Sequence, residues 1–186
     1  PGLGITTQGA APLASDVSER LATIVRVMNR ESDNFYAEML LKEIAAAAGH
    51  RGSSRSGGKL VVATMAEAGI PVEGVSIADG SGLSRLDRLT AAALVGVLQA
   101  GVADPAIRRA FVESLAVPGR SGTLQKRVPW LRRVLRGKTG TTSIACSLSG
   151  LVGGAYAFAV LQNGNPVPSS AAREAQDRFV TALAAG

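Results

Sequence analysis

Two short strings, 106 positions apart (138 − 32), combine residue types suited to holding an anion and moving a proton. Lys138-Thr139-Gly140-Thr141 sits within Leu135–Thr142, just inside an apolar run. A strand there can present an ammonium, a hydroxyl and bare backbone N–H groups along one edge. Such groups hold a carboxylate and stabilise an oxyanion. Ser32-Asp33-Asn34 lies at a junction between two helical patterns, where a hydroxyl and an amide can point into a cleft. Each string alone has an ordinary structural reading: Lys138 as a solvated strand-end lysine, Ser32 or Asp33 as a helix N-cap. Together they favour a shared site.

The elements that must position these residues follow from local patterns. Asp16 with Glu19 forms a capping-box pattern, and Val17, Leu21, Ile24 and Met28 recur on one face of a first helix that stops near Asn29-Arg30. A second helix is expected over 35–48, with Phe35, Met39, Leu40 and Ile44 inward and Gly49 as its stop. The polar, basic and glycine-rich segment 50–58 reads as a loop, followed by a helix over 60–68 closed by Gly69. Val75–Ala78 reads as a short extended piece, followed by the turn-rich Asp79-Gly80-Ser81-Gly82. Thr90 caps a helix ending near Gly101, and Asp104-Pro105 opens another reaching about Leu115. Strands are expected over 132–141, 144–152 and 155–162, the last two joined at Gly153-Gly154. Ser169 or Ser170 caps a final helix to about Ala184, with Ala172, Phe179, Val180 and Leu183 covering the sheet.

Composition bounds the rest. With 186 residues, 46% of them hydrophobic, the chain can bury one good core but hardly two. Aromatics are only 4%, so that core must come from Ala, Val, Leu and Ile. No apolar run is long enough for a transmembrane segment. The opening Pro1–Ile5 lacks both a starting Met and signal-peptide character, and reads as a start inside a longer frame. The lone Cys146 reads as a buried strand thiol, having no internal disulfide partner. A net charge of +6 permits nucleic acid or an anionic cell-surface polymer as partner. The scattered arginines, without aromatic platforms, argue against nucleic acid.

Three strings then occur together: Ser32-Asp33-Asn34-Phe35-Tyr36-Ala37-Glu38, Asp79-Gly80-Ser81-Gly82-Leu83-Ser84-Arg85 and Lys138-Thr139-Gly140-Thr141. With them the chain resembles the D-alanyl-D-alanine carboxypeptidases/endopeptidases of the class C low-molecular-mass penicillin-binding proteins, peptidase family S13. Ser147-Leu148-Ser149-Gly150 and the Gly119–Leu124 string are also similar, and the resemblance runs from about Leu13 to the final helix. Thr142 departs from the pattern, standing where an apolar residue is more usual.

The resemblance implies an α/β (α+β) penicillin-binding-protein/serine β-lactamase-like transpeptidase fold. Of that fold, residues 1–186 would be the C-terminal part of a single domain: a mainly helical cluster over 15–115, then an antiparallel sheet with a C-terminal helix over 130–186. It implies a serine peptidase that cleaves D-Ala-D-Ala through an acyl-enzyme and is acylated by penicillin, with no cofactor or metal. Ser32 would pass a proton toward the leaving amine. Asn34 would hydrogen-bond the lysine partner of the nucleophile and the acyl side-chain amide. Lys138 and Thr139 would hold the terminal carboxylate, Gly140 would let the substrate backbone approach, and the Thr141 N–H would form half of an oxyanion hole. Leu83 and Arg85 would line the pocket for the acyl-donor side chain, with a surface Arg on a structural turn as the alternative for Arg85.

The nucleophile is the departure. The family's Ser-x-x-Lys belongs upstream of Ser-Asp-Asn, whereas the matching string here, Ser56-Gly57-Gly58-Lys59, follows it. It lies in the expected loop, and its two glycines disfavour a helical turn. The implied partners are therefore a peptidoglycan stem peptide, β-lactam antibiotics and an upstream segment of the same protein carrying Ser-x-x-Lys. The implied location is extracytoplasmic, in the periplasm or cell wall of a bacterium. That upstream segment would also cover the outer edge of the 155–162 strand and be needed for stability. A serine β-lactamase-like hydrolase and a non-catalytic peptidoglycan- or protein-binding module remain the competing readings.

Overall fold

The computed structural model describes residues 4–154 and 156–186. Its order is α1 (Leu21–Glu31), α2 (Asn34–Ala47), α3 (Ser54–Glu67), α4 (Ala91–Ala103), α5 (Arg108–Ser114), β1 (Leu135–Thr141), β2 (Ala145–Val152), β3 (Tyr156–Asn163) and α6 (Ser169–Leu183). Two short 3-10 turns, Gly122–Leu124 and Pro129–Leu131, precede the sheet. The strands form one antiparallel sheet in the order β1-β2-β3, with Lys138 opposite Ser149 and Leu148 opposite Val160. This helical-then-antiparallel arrangement is the expected fold class.

The core is aliphatic, as the scarcity of aromatics requires. Leu124, Leu135, Leu148, Val152, Phe158 and Val180 form its centre, between the sheet and α6. Leu124, Leu135 and Leu148 are fully buried, each contributing about 2 kcal/mol of transfer free energy. The opposite face of the sheet meets α4, so the sheet lies between helices. A second cluster, Met65, Ile70 and Ala93, joins α3 to α4. Cys146 is buried beside Val167 and Ala172, as expected of a strand thiol. Gly153 and Gly154 both hold positive φ at the β2–β3 connection, a conformation that costs glycine little.

Several local expectations are corrected. The capping box at Asp16 and Glu19 is not formed: α1 begins at Leu21, and Leu13 and Val17 are exposed. A helical turn there would have no surface to bury against, and isolated turns do not sustain themselves. In α2 the buried residues are Leu41 and Ala45, whereas Phe35, Met39 and Ile44 are exposed.

The segment expected as a loop is helical from Ser54, so Ser56-Gly57-Gly58-Lys59 lies on a helix after all. The glycines are there for approach: a Cβ on Gly57 would collide with the Leu41 carbonyl, and one on Gly58 with that of Ile77. Ser53, whose side chain accepts the Ser56 N–H, is the cap. Helix α5 starts at Arg108 instead of following Asp104-Pro105 directly, and β1 starts at Leu135 instead of 132. Helix α6 is preceded by Pro168, with neither serine acting as cap. The Thr90 cap is formed as expected, its Oγ1 accepting the Ala93 N–H.

Candidate active site

The joint between α1 and α2 is a two-residue turn. Asp33 caps α2, its carboxylate accepting the Tyr36 N–H at 2.8 Å. Ser32 closes α1 in the left-handed region (φ 58, ψ 48), a conformation that costs a non-glycine residue about 1–2 kcal/mol. Neighbouring contacts over-determine it. Asn29 donates to Ser114 Oγ at 2.8 Å, and the Arg30 guanidinium donates to the Glu113 carbonyl, both fixing the end of α1 to α5. Gly122, at φ +61, abuts the Arg30 carbonyl so closely that a Cβ would collide with it.

Lys138 lies on β1 across from this joint. Its Nζ donates to Ser32 Oγ at 2.8 Å and to the Thr139 carbonyl at 2.6 Å. Among the described residues no carboxylate pairs with it. Burial without a counter-ion pushes its pKa from 10.5 down to about 8.

The edge of β1 is open where it matters. Gly137 exchanges both backbone hydrogen bonds with Ala116 on the side away from β2. Backbone groups alternate along a strand, so the N–H and C=O of Thr139 and Thr141 face that same outer edge. Lys138 and Gly140 instead bond toward β2, opposite Ser149 and Ser147. Gly140 has a structural duty too: a Cβ would come within 2.6 Å of Ser147 Oγ. Thr142 closes the strand, its Oγ1 accepting the N–H groups of Ile144 and Ala145. That local duty accounts for a hydroxyl at the position that departs from the family pattern.

Of the residues singled out in the sequence, Ser32, Lys138 and Thr139 are brought into one hydrogen-bonded group, and Gly140 and Thr141 continue it along the strand. Asn34 is exposed at the start of α2, two residues beyond Ser32. Leu83 and Arg85 are exposed on the 79–85 turn, and no hydrogen bond links them to Lys138. That turn is nevertheless fastened to α2: the Gly80 N–H donates to Glu38 Oε2 at 2.7 Å, and Gly80 abuts the Ala37 carbonyl. Ser54 and Lys42 also bind the Glu38 carboxylate, and these donors hold its pKa below the usual range.

Two participants were not singled out as site residues. Glu38 fixes the turn, and Thr123 Oγ1 lies 2.7 Å from Thr139 Oγ1. The Gly119–Leu124 string was the only sequence signal for the latter.

Comparison with known proteins matches this architecture. The family model described as the D-Ala-D-Ala carboxypeptidase 3 (S13) family matches residues 2–185. Carboxypeptidase DacB of Mycolicibacterium smegmatis is 33% identical over 168 residues, covering 84% of this chain and 36% of its own. A D-alanyl-D-alanine carboxypeptidase of Actinomadura sp. is 34% identical over 194 residues, covering 98% and 35%. The chain thus spans little more than a third of the length of these relatives.

Among solved structures, penicillin binding protein 4 of Haemophilus influenzae in complex with a β-lactam superposes with a TM-score of 0.75 at 23% identity, covering 87% of this chain and 41% of that one. The penicillin G-acylated Bd3459 predatory endopeptidase of Bdellovibrio bacteriovorus gives 0.64 at 20%, covering 88% and 45%. At such identities these likenesses show a shared fold.

Proposed function

This chain belongs to the D-Ala-D-Ala carboxypeptidase 3 (S13) family, and on that premise we propose that it supplies the carboxylate-binding and proton-transfer half of a serine D-Ala-D-Ala peptidase site. The observation that carries the proposal is the 2.8 Å bond from Lys138 Nζ to Ser32 Oγ, which joins two groups 106 residues apart. A serine hydroxyl from a Ser-x-x-Lys on an upstream segment attacks the carbonyl carbon of the penultimate D-Ala. A C–O bond forms, the peptide C–N bond breaks, and the departing amine takes a proton through the Ser32 hydroxyl. Water then hydrolyses the acyl ester.

Lys138 and Thr139 grip the terminal carboxylate, as an unpaired ammonium beside a hydroxyl suits. The outward Thr141 N–H takes one side of the oxyanion. Asn34 orients the nucleophile's lysine and the acyl amide, and Leu83 and Arg85 receive the acyl-donor side chain. The substrate is a peptidoglycan stem peptide outside the cytoplasm, and penicillin acylates the same serine. Ser56 is not that serine in this reading: it is half-buried and bonded to Ser53, on a helix packed against α2.

Labelling with a fluorescent penicillin tests the reading on the protein including its upstream segment. An acylated band that fades in Ser32→Ala and Lys138→Met variants supports it. Unlabelled protein that still binds muropeptides would make it a binding module instead.

A further inference from the structure

We propose that Thr123 is a second positioning residue for the substrate's terminal carboxylate, acting with Thr139 as one unit; the inference rests on the carboxylate-binding reading above. The two hydroxyl oxygens are 2.7 Å apart. Each hydroxyl carries one proton and two lone pairs, so their mutual bond consumes one proton and leaves one free. If Thr139 donates to Thr123, then Thr139 offers an incoming carboxylate only lone pairs, and the free proton belongs to Thr123. If Thr123 donates, it fixes the Thr139 rotor so that the remaining proton points outward. In both arrangements a carboxylate at this edge of β1 meets one oriented O–H, and in both Thr123 is required. A solitary Thr139 would have to order its hydroxyl on binding, at an entropic cost.

The placement of Thr123 is built in. On one side Gly122 is held at φ +61 against the Arg30 carbonyl, next to the Ser32 joint. On the other, Leu124 is fully buried in the core. Between these two anchors the Thr123 side chain is exposed, and Thr139 is its hydrogen-bond partner among the described residues. The Ala116–Gly137 bridge aligns the segment leading to this turn with the open edge of β1. Packing does not demand a hydroxyl at an exposed position, and the facing Thr139 hydroxyl does.

The test uses the protein with its upstream segment, an acyl-D-Ala-D-Ala peptide and the same peptide with a C-terminal amide. Thr123→Val should lower kcat/KM for the free acid about tenfold, chiefly through KM, as expected for one hydrogen bond to a charged group. It should leave the amide almost unchanged, and Thr123→Ser should recover most of the loss. Thr123→Ala, without the branched methyl groups, should match Thr123→Val and replace it if valine disturbs the turn. Equal losses on acid and amide, or no recovery by serine, would overturn the proposal. Thr139→Val separates the two layers. Loss of acid preference there but not at position 123 sinks this inference alone, whereas no loss at either position sinks the carboxylate-binding reading beneath it.

Discussion

If Lys138 holds the substrate carboxylate as proposed, it sets a pH limit on substrate capture. Its ammonium, lowered by burial to about 8 from 10.5, must be charged to attract a carboxylate. At pH 9 only about one site in ten would carry the charge, where an unperturbed lysine would be almost wholly charged. For the protein with its upstream segment, kcat/KM on a D-Ala-D-Ala peptide should therefore fall about tenfold per pH unit above pH 8. Once bound, the carboxylate restores an opposite charge, so the falling limb of kcat should lie at higher pH.

Stability follows the same titration with a definite sign. The folded-state pKa is the lower one, so the folded state carries a cost below about pH 8 that fades as pH rises toward 10.5. The gap between 10.5 and about 8 corresponds to about 3 kcal/mol. Lys138→Met should lose activity yet melt higher at pH 7, its advantage shrinking by pH 10. A flat kcat/KM up to pH 10, or an identical falling limb in Lys138→Met, would refute the reasoning.

Two further substitutions test how the site is held. Gly122→Ala places a Cβ against the Arg30 carbonyl at a positive φ; it should cost about 2–4 kcal/mol in thermal melts and reduce penicillin labelling through displacement of Ser32. Glu38→Gln keeps the shape but weakens the bonds from Gly80, Ser54 and Lys42; it should cost about 1–2 kcal/mol and speed amide exchange at Gly80 more than at Lys138.

Where local chemistry decides, the sequence was readable. Thr90 caps, Gly49 and Gly69 stop helices, and Gly153-Gly154 turns a strand, because each answers to its own backbone. The Ser32–Lys138 meeting was readable only as a pairing of motifs, since nothing within either string encodes the other's position. What failed depended on distant partners. Phe35, Met39 and Ile44 share α2 with Leu41 and Ala45, and only the packing of α3 decides which apolar residues turn inward. Gly57 and Gly58 looked like helix breakers because the backbone of Leu41 and Ile77, which needs the space, is 16 and 19 residues away (57 − 41 and 77 − 58). Asp16 and Glu19 had a good capping pattern but no surface to bury against. Thr123 was marked only by the Gly119–Leu124 string around it, and its meaning comes from the strand it faces.

The left-handed backbone at position 32 also narrows which amino acids could ever take that place. Threonine would bring the same oxygen, but its branched β-carbon crowds the main chain badly at φ 58. Glycine or asparagine would relax the geometry while giving up the alcohol. Of the two aliphatic alcohols among the standard side chains, only the unbranched one satisfies both the torsion and the proposed proton relay, so on that reading variation there is closed from two independent directions.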